Sequence, residues 1–213
     1  ENTFRDVNIA LANELCKICE NIGINAWEVI ELCNKHPRVN IHQLGPGVGG
    51  HCLAVDPWFI VQKVPDLAKI IKLSRETNDS MPHYLLKKIE ELLSNVKETK
   101  KITILGITYK PNIDDMRESP ILELINLLDK KGYEISVVDP YVKEYKYLEY
   151  DIRKACINSD LVLLGVNHRE FRVLPLKDMK KNMRGNIILD TRNFIDKRVV
   201  KEIGFEYILL GAN

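Results

Sequence analysis

Apolar residues near the start of the chain recur three or four positions apart, which is the spacing of one helix face. This pattern runs from residue 4 to Gly23, and glycine commonly ends a helix. Asn25 followed by Glu28 matches the capping box of a second helix, which Pro37 stops. The pattern therefore predicts that the chain opens with two amphipathic helices.

Helical patterns resume beyond an irregular segment. Residues 38–56 lose all periodicity, and Asp56-Pro57 then matches the N-cap and first residue of a helix that reaches about Leu73. A further helix is predicted from Pro82 to about Asn95. The first part of the chain is therefore predicted to be helical around one loop.

The pattern changes after a polar stretch close to residue 98. Short runs of β-branched and aliphatic residues now alternate with helical segments, which is typical of a parallel, doubly wound sheet. We therefore predict an α/β fold with an all-helical domain over residues 1–98 and a Rossmann-like domain over residues 99–213. The predicted strands are Lys101–Leu105, Tyr133–Val138, Leu161–Val166 and Asn186–Asp190.

Composition excludes several classes of protein. A formal net charge of +1 in 213 residues gives no reason to expect nucleic acid or an anionic membrane as a partner. Apolar stretches stay shorter than the roughly 20 residues that span a bilayer. The 5 cysteines are odd in number and scattered, which does not indicate a secreted disulfide framework, and a cytoplasmic location is predicted.

The irregular segment carries the candidate chemistry. Four glycines at positions 45, 47, 49 and 50 allow close approach of the backbone to a ligand, and Cys52 follows them. A cysteine just before a helix start lies where free N–H groups stabilise a thiolate, and the Asp56 carboxylate can position water. The alternative is that the glycines form only a turn, Cys52 is a small buried hydrophobe and Asp56 is only an N-cap.

Three segments resemble one enzyme family. The segment from Gly45 to Phe59 resembles the active-site segment of UDP-glucose/GDP-mannose dehydrogenases. The segment from Leu105 to Pro120 is similar to the C-terminal signature of that family, and residues 1–15 resemble the long helix that links its domains. The three segments occur in the family's order, so the chain is identified as a member.

The resemblance implies a four-electron oxidation. In this family the C6 alcohol of a nucleotide sugar becomes a carboxylate through two hydride transfers to NAD. The resemblance implies that Cys52 forms a thiohemiacetal and then a thioester, and that Asp56 helps to activate water. His51 and the segment Ala54–Pro57 favour UDP-N-acetyl-D-mannosamine as substrate. UDP-N-acetylglucosamine and UDP-glucose stay open, as does a non-catalytic module that binds UDP and dimerises.

The resemblance also implies binding residues. Arg117 matches an arginine that reaches NAD, whereas His36 and Arg38 lie where the family reaches into the substrate pocket of a neighbouring subunit. His36 could instead simply end its helix. A homodimer through the helical domain is therefore expected. The remaining residues expected to bind the UDP-sugar are Asn2, Arg5, Gly49, Tyr109, Lys110 and Arg192.

Two family features are missing from the sequence. No Gly-x-Gly-x-x-Gly motif follows any predicted strand, and this motif is the usual fingerprint of NAD binding. The family's catalytic lysine lies four residues before the asparagine that matches Asn2, a position before residue 1. We therefore expect the chain to be the remainder of a larger enzyme that lacks its N-terminal NAD-binding domain, and to be inactive by itself.

Overall fold

The computed structural model describes residues 1–212, which form a helical region followed by an α/β sheet. Helices and strands in these two regions follow the predicted order. The helical region contains α1 (Asn2–Ile22), α2 (Ala26–Cys33), α3 (His51–Lys63), α4 (Lys69–Asp79) and α5 (Met81–Leu92). The sheet region contains β1 (Lys101–Leu105), α6 (Pro120–Lys130), β2 (Glu134–Val138), α7 (Ile152–Ala155), β3 (Leu161–Leu164), a 3-10 turn (Arg169–Arg172), α8 (Leu176–Asn182), β4 (Ile187–Asp190), α9 (Lys197–Glu202) and β5 (Glu206–Leu209).

Gly23 ends α1 and Asn25 caps α2, as the sequence predicts, whereas α2 already ends at Cys33, before Pro37. Gly23 takes a left-handed conformation with a φ of 76°, which ends α1 at little steric cost. The Asn25 side chain accepts a hydrogen bond from the backbone N–H of Trp27 at 2.9 Å, and its amide group donates to Glu28 at 3.1 Å. The Asn25 side chain thereby supplies an acceptor for one of the N–H groups at the start of α2 that have none within the helix.

The predicted helix from Asp56-Pro57 to Leu73 is wrong at its start and in its continuity. α3 begins at His51, because Gly50 with a φ of 83° turns the chain into the helix earlier. Pro57 lies inside α3, where it omits the one hydrogen bond that its missing N–H would have made. Residues 64–68 then separate α3 from α4, since Pro65 does not continue a helix.

The sheet is entirely parallel, with the strand order β2-β1-β3-β4-β5. Register aligns the last residues of neighbouring strands, so that Leu105 pairs with both Val138 and Leu164, and Leu164 pairs with Asp190. The carboxyl ends of these strands therefore meet at one edge, where α/β proteins usually bind ligands. Sequence reasoning missed β5, although Gly204 and a later glycine bound its short apolar run.

The sheet is doubly wound, as predicted. Successive residues of a strand point to opposite faces, so Ile104 and Leu105 join different apolar clusters. The first cluster packs β1 against α6 and continues into α1 and α5, whereas the second packs against α7, α8 and α9. The first apolar cluster therefore runs without a break from the helical region into the sheet. The division into domains at residue 98 falls between α5 and β1 and stays a prediction.

A buried ion pair holds α4 against α1. Arg75 Nη1 donates to Asp6 Oδ1 at 2.5 Å, and both side chains are almost completely buried. Within residues 1–212, Asp6 Oδ2 and Arg75 Nε are the buried side-chain atoms without a hydrogen-bond partner. Burial raises the pKa of the Asp6 carboxyl even though Arg75 opposes the change. The pair is therefore costly to bury, and removing one member leaves an uncompensated charge.

Replacing Arg75 tests this ion pair. Arg75→Ala should lower the free energy of unfolding by about 3–5 kcal/mol, the usual range for breaking a buried pair from one side. Urea unfolding followed by circular dichroism measures the loss. The matched control is Lys72→Ala, which removes the cation of an exposed pair with Glu76 on the same helix and should cost less than about 1 kcal/mol. Equal losses for the two variants would contradict the prediction.

Candidate active site

Asparagine side chains of α1 hold the glycine-rich loop, residues 41–50, in place. Asn8 donates to the carbonyl oxygen of Asn40 at 2.8 Å and accepts from the backbone N–H of His42 at 2.7 Å. Further along α1, Asn13 accepts from the backbone N–H of Gly45 at 2.9 Å. A loop without regular structure thereby acquires fixed hydrogen bonds at its start.

Two glycines let this loop approach the sheet closely. A Cβ at Gly49 would lie 2.5 Å from the carbonyl oxygen of Glu118 and 2.8 Å from Cβ of Tyr109. A Cβ at Gly50 would lie 2.8 Å from Cε2 of Tyr109. The Gly50 N–H also donates to the carbonyl oxygen of Arg117 at 3.0 Å. The loop therefore packs directly on the segment 106–119 that follows β1, which only residues without side chains permit.

A cavity of about 220 Å³ opens where the two segments meet. It lies between the N-terminal part of α1, the glycine-rich loop and the carboxyl edge of the sheet. Residues far apart in the sequence share its wall, and five of them are among the residues that the resemblance implied. Those five residues are Arg5, Gly49, Tyr109, Lys110 and Arg192.

Arg192 is the cation best fixed within this wall. Its Nε donates to the carbonyl oxygen of Gly165 at 3.0 Å, and its backbone N–H donates to Asp190 at 2.8 Å. Burial lowers the pKa of the guanidinium to about 10, so the group remains a cation at neutral pH. Within residues 1–212, its Nη atoms have no acceptor at hydrogen-bonding distance, which leaves them able to bind an anion.

A second cavity of about 500 Å³ adjoins the first. Gln43 lines both of them, and the second cavity extends between α2 and β5 past Trp27, Asn193 and Tyr207. Its wall combines aromatic rings with amide groups, which is the usual composition of a site for a small polar molecule. Together the cavities offer room for a ligand larger than a diphosphate.

Cys52 lies beside the first cavity. It is the second residue of α3 and is exposed, and its neighbours Gly49 and Leu53 both line the cavity. Because α3 begins at His51, the thiol lies inside the first turn rather than before it. The N–H groups of this turn have no acceptor within the helix, and they form the positive end of the helix dipole.

A hydrogen bond joins Asn2 at the start of α1 to Asp56 of α3. The Asn2 amide donates to Asp56 Oδ2 at 2.7 Å, and both side chains are half-buried. Asp56 is one turn along α3 from Cys52, so the thiol and the carboxylate lie on neighbouring turns of one helix face. The two residues that were predicted to be catalytic therefore lie one turn apart on α3, and neither is among the described residues that line the first cavity.

Arg117 and the pair His36 and Arg38 lie elsewhere. The Arg117 side chain is largely exposed and forms a bidentate pair with Asp115, whose hydrogen bond raises the pKa of the guanidinium. His36 and Arg38 are exposed in the turn after α2, where the Arg38 N–H donates to Nδ1 of His36 at 3.2 Å. None of these three residues is among the described residues that line the first cavity.

Sequence reasoning missed the residues that hold the loop. Asn8 and Asn13 lie in the interior of α1, a place where asparagine is disfavoured because its side chain competes for backbone hydrogen bonds. Their repeated occurrence on one helix was the signal that could have marked them. Gln43 carried no such signal, because its position in the cavity depends on the path of the loop.

Two family models match the chain. The UDP binding domain of the UDP-glucose/GDP-mannose dehydrogenase family matches residues 103–197, and the central domain of the same family matches residues 1–80. The chain belongs to the UDP-glucose/GDP-mannose dehydrogenase family. The matched ranges contain the glycine-rich loop and the segment after β1, the two parts that meet at the cavity. The family expected from the three sequence motifs is thereby confirmed.

Individual members of the family are similar along nearly the whole chain. The UDP-N-acetyl-D-mannosamine dehydrogenase of Methanocaldococcus jannaschii is 45% identical over 99% of this chain and 49% of its own length. The NDP-N-acetyl-D-galactosaminuronic acid dehydrogenase of Ralstonia solanacearum is 44% identical over 90% of this chain and 46% of its own length. The chain thus spans about half the length of the curated relatives it matches.

A solved structure agrees with the fold. The UDP-N-acetyl-mannosamine dehydrogenase of Staphylococcus aureus superimposes with a TM-score of 0.86 at 46% identity, over 99% of this chain and 49% of the other. This likeness confirms the α/β fold class. None of the helices within residues 1–212 combines the length and apolar character needed to cross a membrane.

Thiol reactivity tests the placement of Cys52. Cys52 and Cys33 are exposed, whereas Cys16, Cys19 and Cys156 are buried, where a reagent does not reach them. Burial also raises the pKa of Cys16 to about 12 and that of Cys156 to about 11, which suppresses their reactive thiolates. In the folded chain we expect two fast-reacting thiols in a titration with Ellman's reagent. Cys33→Ser should leave one, and adding Cys52→Ser should leave none. Slow reaction of the thiol left in Cys33→Ser would show that Cys52 is buried.

Proposed function

We propose that this chain is the substrate-binding, nucleophile-bearing part of an NAD-dependent UDP-sugar 6-dehydrogenase. The observation that carries the proposal is the cavity shared by Arg5, Gly49, Tyr109, Lys110 and Arg192. Its wall contains three cationic side chains, an aromatic ring and the backbone of a glycine. The exposed Cys52 lies beside this wall. That combination suits a sugar diphosphate whose reacting carbon lies against a thiol.

The cations account for recognition of a diphosphate. Arg192 presents free Nη atoms from a half-buried position, and a planar guanidinium pairs with two phosphate oxygens at once. Lys110 and Arg5 are exposed at the same wall and can adjust to the ligand. Gly49 lines the same wall, so its backbone can contact the sugar. UDP is the proposed nucleotide, in agreement with the UDP binding domain that matches residues 103–197.

Cys52 supplies the covalent step. The C6 alcohol first loses a proton and one hydride to become an aldehyde. The thiolate adds to that aldehyde carbon to give the thiohemiacetal anion, and loss of the second hydride from the same carbon leaves a thioester. Water then attacks the thioester carbonyl, which releases the carboxylate product and returns the thiolate. The backbone N–H groups at the start of α3 are placed to stabilise negative charge on sulfur and on the carbonyl oxygen.

Asp56 and Asn2 are proposed to serve hydrolysis and substrate orientation. The carboxylate can accept a proton from the attacking water, and the Asn2 amide holds its Oδ2 in place at 2.7 Å. Asn2 would at the same time contact the substrate and stabilise the oxyanion.

NAD, when bound, accepts the two hydrides, and it is proposed to be held mainly by an N-terminal domain outside this chain. The turn after β1 does not fit a dinucleotide, because a Cβ at Gly106 would lie 2.6 Å from Cβ of Val166 and the space is filled by the chain itself. Arg117 is exposed next to the start of α3, so it can reach a cofactor held from outside. By itself the chain is therefore proposed to be inactive.

A homodimer through the helical region is proposed as the working form. Apolar side chains spaced along α1 are exposed, namely those of Phe4, Leu11, Ile18 and Ile22. An exposed apolar stripe of this length is typical of an interface. His36 and Arg38, exposed after α2, are proposed to complete the cavity of the second subunit. Within each subunit, the boundary between the helical domain and the Rossmann-like domain is proposed to lie at residue 98.

UDP-N-acetyl-D-mannosamine is the proposed substrate. The support is the sequence of the active-site loop and the similarity to dehydrogenases of that name in Methanocaldococcus jannaschii and Staphylococcus aureus. UDP-N-acetylglucosamine and UDP-glucose are the alternatives, and kinetics with all three sugars distinguish them. A cytoplasmic location and a role in polysaccharide biosynthesis are proposed with the activity, since nucleotide sugars are the building blocks of such polymers.

Cys52→Ser in the intact enzyme tests the covalent step. Formation of the uronic acid should fall by roughly 10³-fold or more, because a hydroxyl at neutral pH is a far weaker nucleophile than a thiolate. Product analysis by mass spectrometry, together with the NADH formed per sugar, measures this. Cys33→Ser removes the other exposed thiol and should leave turnover unchanged. Full acid formation by Cys52→Ser would refute the nucleophile assignment.

Titration with UDP tests the binding site in this chain alone. Lys110→Ala and Arg192→Ala should each weaken UDP binding by about 10-fold to 100-fold, the effect of losing one charge-assisted hydrogen bond. Arg198→Ala, which removes an exposed arginine paired with Asp196 away from the cavity, should change nothing. NAD should bind hardly at all. Tight NAD binding, or UDP affinity indifferent to Arg192, would refute the proposed site.

A further inference from the structure

A completely buried histidine lies beneath the loop that carries Tyr109 and Lys110. His168 follows β3, and its Nε2 lies 3.1 Å from Oδ2 of Asp139, which follows β2. Both side chains are fully shielded from solvent, and the ring packs against Tyr141 at a centroid distance of 4.9 Å. A polar pair with this burial needs every hydrogen bond satisfied. The further hydrogen-bond partners of His168 and Asp139 lie in the loop that follows β1.

The hydrogen bonds select one tautomer of the ring. The Asn112 backbone N–H donates to Nδ1 of His168 at 2.9 Å, so Nδ1 carries a lone pair. The proton is therefore on Nε2, which donates to Asp139 and lies 3.3 Å from the hydroxyl of Thr108. Against the effect of burial, the hydrogen bonds from His168 and two backbone amides keep the pKa of the Asp139 carboxyl below its usual value.

These bonds clamp the loop on both sides of Tyr109 and Lys110. On the near side, the Ile107 N–H donates to Asp139 at 2.8 Å, and the Thr108 hydroxyl donates to the carbonyl oxygen of Lys110 at 2.9 Å. On the far side, Asn112 is bound to His168 through its N–H. Its side chain also accepts from the backbone N–H of Arg169 at 2.9 Å.

Asn112 also takes a conformation that needs support. Its φ of 63° lies in the left-handed region, which a non-glycine residue adopts at a cost. The bonds to His168 and to the segment after β3 hold it there. Tyr109 and Lys110 therefore lie in a short stretch of loop that hydrogen bonds hold at both ends. The Tyr109 ring packs against Gly50.

We propose that His168 is a positioning residue, which sets the loop so that Tyr109 and Lys110 meet the diphosphate of the nucleotide sugar. The imidazole is buried and does not line the cavity, so it acts through the loop and not on the ligand. This inference rests on the proposed function, because it assumes that the cavity binds UDP. Asp139 has the same role, because it binds both His168 and the backbone N–H of Ile107 in the loop.

Titration of the chain with UDP, in matched variants, tests this role. His168→Phe keeps an aromatic ring against Tyr141 but removes the hydrogen bonds of the imidazole to Asn112, Asp139 and Thr108, and it should weaken UDP binding by about 10-fold. His168→Asn can still accept from the Asn112 N–H through its side-chain oxygen and should recover part of the affinity. Phe171→Leu is the control, because that ring packs on His168 at 5.6 Å and, among the described contacts, makes none with the loop.

The control separates positioning from general destabilisation. Phe171→Leu should lower thermal stability while leaving the affinity for UDP unchanged. Combining His168→Phe with Lys110→Ala should weaken binding by less than the product of the separate effects, because both act on the same contact. If His168→Phe does not fold, the same comparison is made with His168→Asn, which should then bind UDP more weakly than the unaltered chain.

The outcomes distinguish a failure of the positioning role from a failure of the proposed function. UDP affinity of His168→Phe equal to that of the unaltered chain would overturn the positioning role, as would a fully multiplicative double variant. Loss of affinity in Phe171→Leu equal to that in His168→Phe would also overturn it, since packing alone would then explain the effect. Failure of the unaltered chain to bind UDP would overturn the proposed function, and the positioning role with it.

Discussion

The close contact between the glycine-rich loop and the segment after β1 is the constraint on which the site depends. At Gly49 and Gly50 any side chain would overlap Tyr109 or the backbone of Glu118. The absence of two side chains thus brings the start of α3, with Cys52, to the carboxyl edge of the sheet. Cations from both regions can then share one wall with a thiol beside it, although neither region contains the whole cavity.

Buried polar groups give this arrangement its rigidity. Asn13 binds both the loop at Gly45 and Asn78 of α4, and Asn78 in turn binds Asp6 beside Arg75. Such a network adds little net stability, because removing charges and amides from water offsets most of what their bonds contribute. Its effect is to leave each group one set of partners and so one geometry. The proposed covalent mechanism would require that precision, since a displacement of about 1 Å can cost two orders of magnitude in rate.

In the sheet region, too, polar residues hold the cavity wall in place. The carboxyl ends of β1, β2, β3 and β4 lie in register at one edge, and the residues just after them hold one another. Asp139 and His168 follow the neighbouring strands and support the loop after β1 from below, while Arg192 follows β4 and is anchored on Gly165. The parallel topology therefore supplies a support for the side chains that the sheet region contributes to the cavity wall.

The sequence by itself determined the α/β class, four of the five strands, and the cysteine loop, because period and glycine spacing are local properties. It did not place the start of α3 at His51, since Gly50 and the buried face of the helix overrode the signal at Asp56-Pro57. Only the tertiary structure decided which distant residues share the cavity. Contacts such as Asn8 with the loop, Arg75 with Asp6 and His168 with Asn112 join positions 32 to 69 residues apart. No local pattern specifies such pairs, because they depend on how complete elements pack.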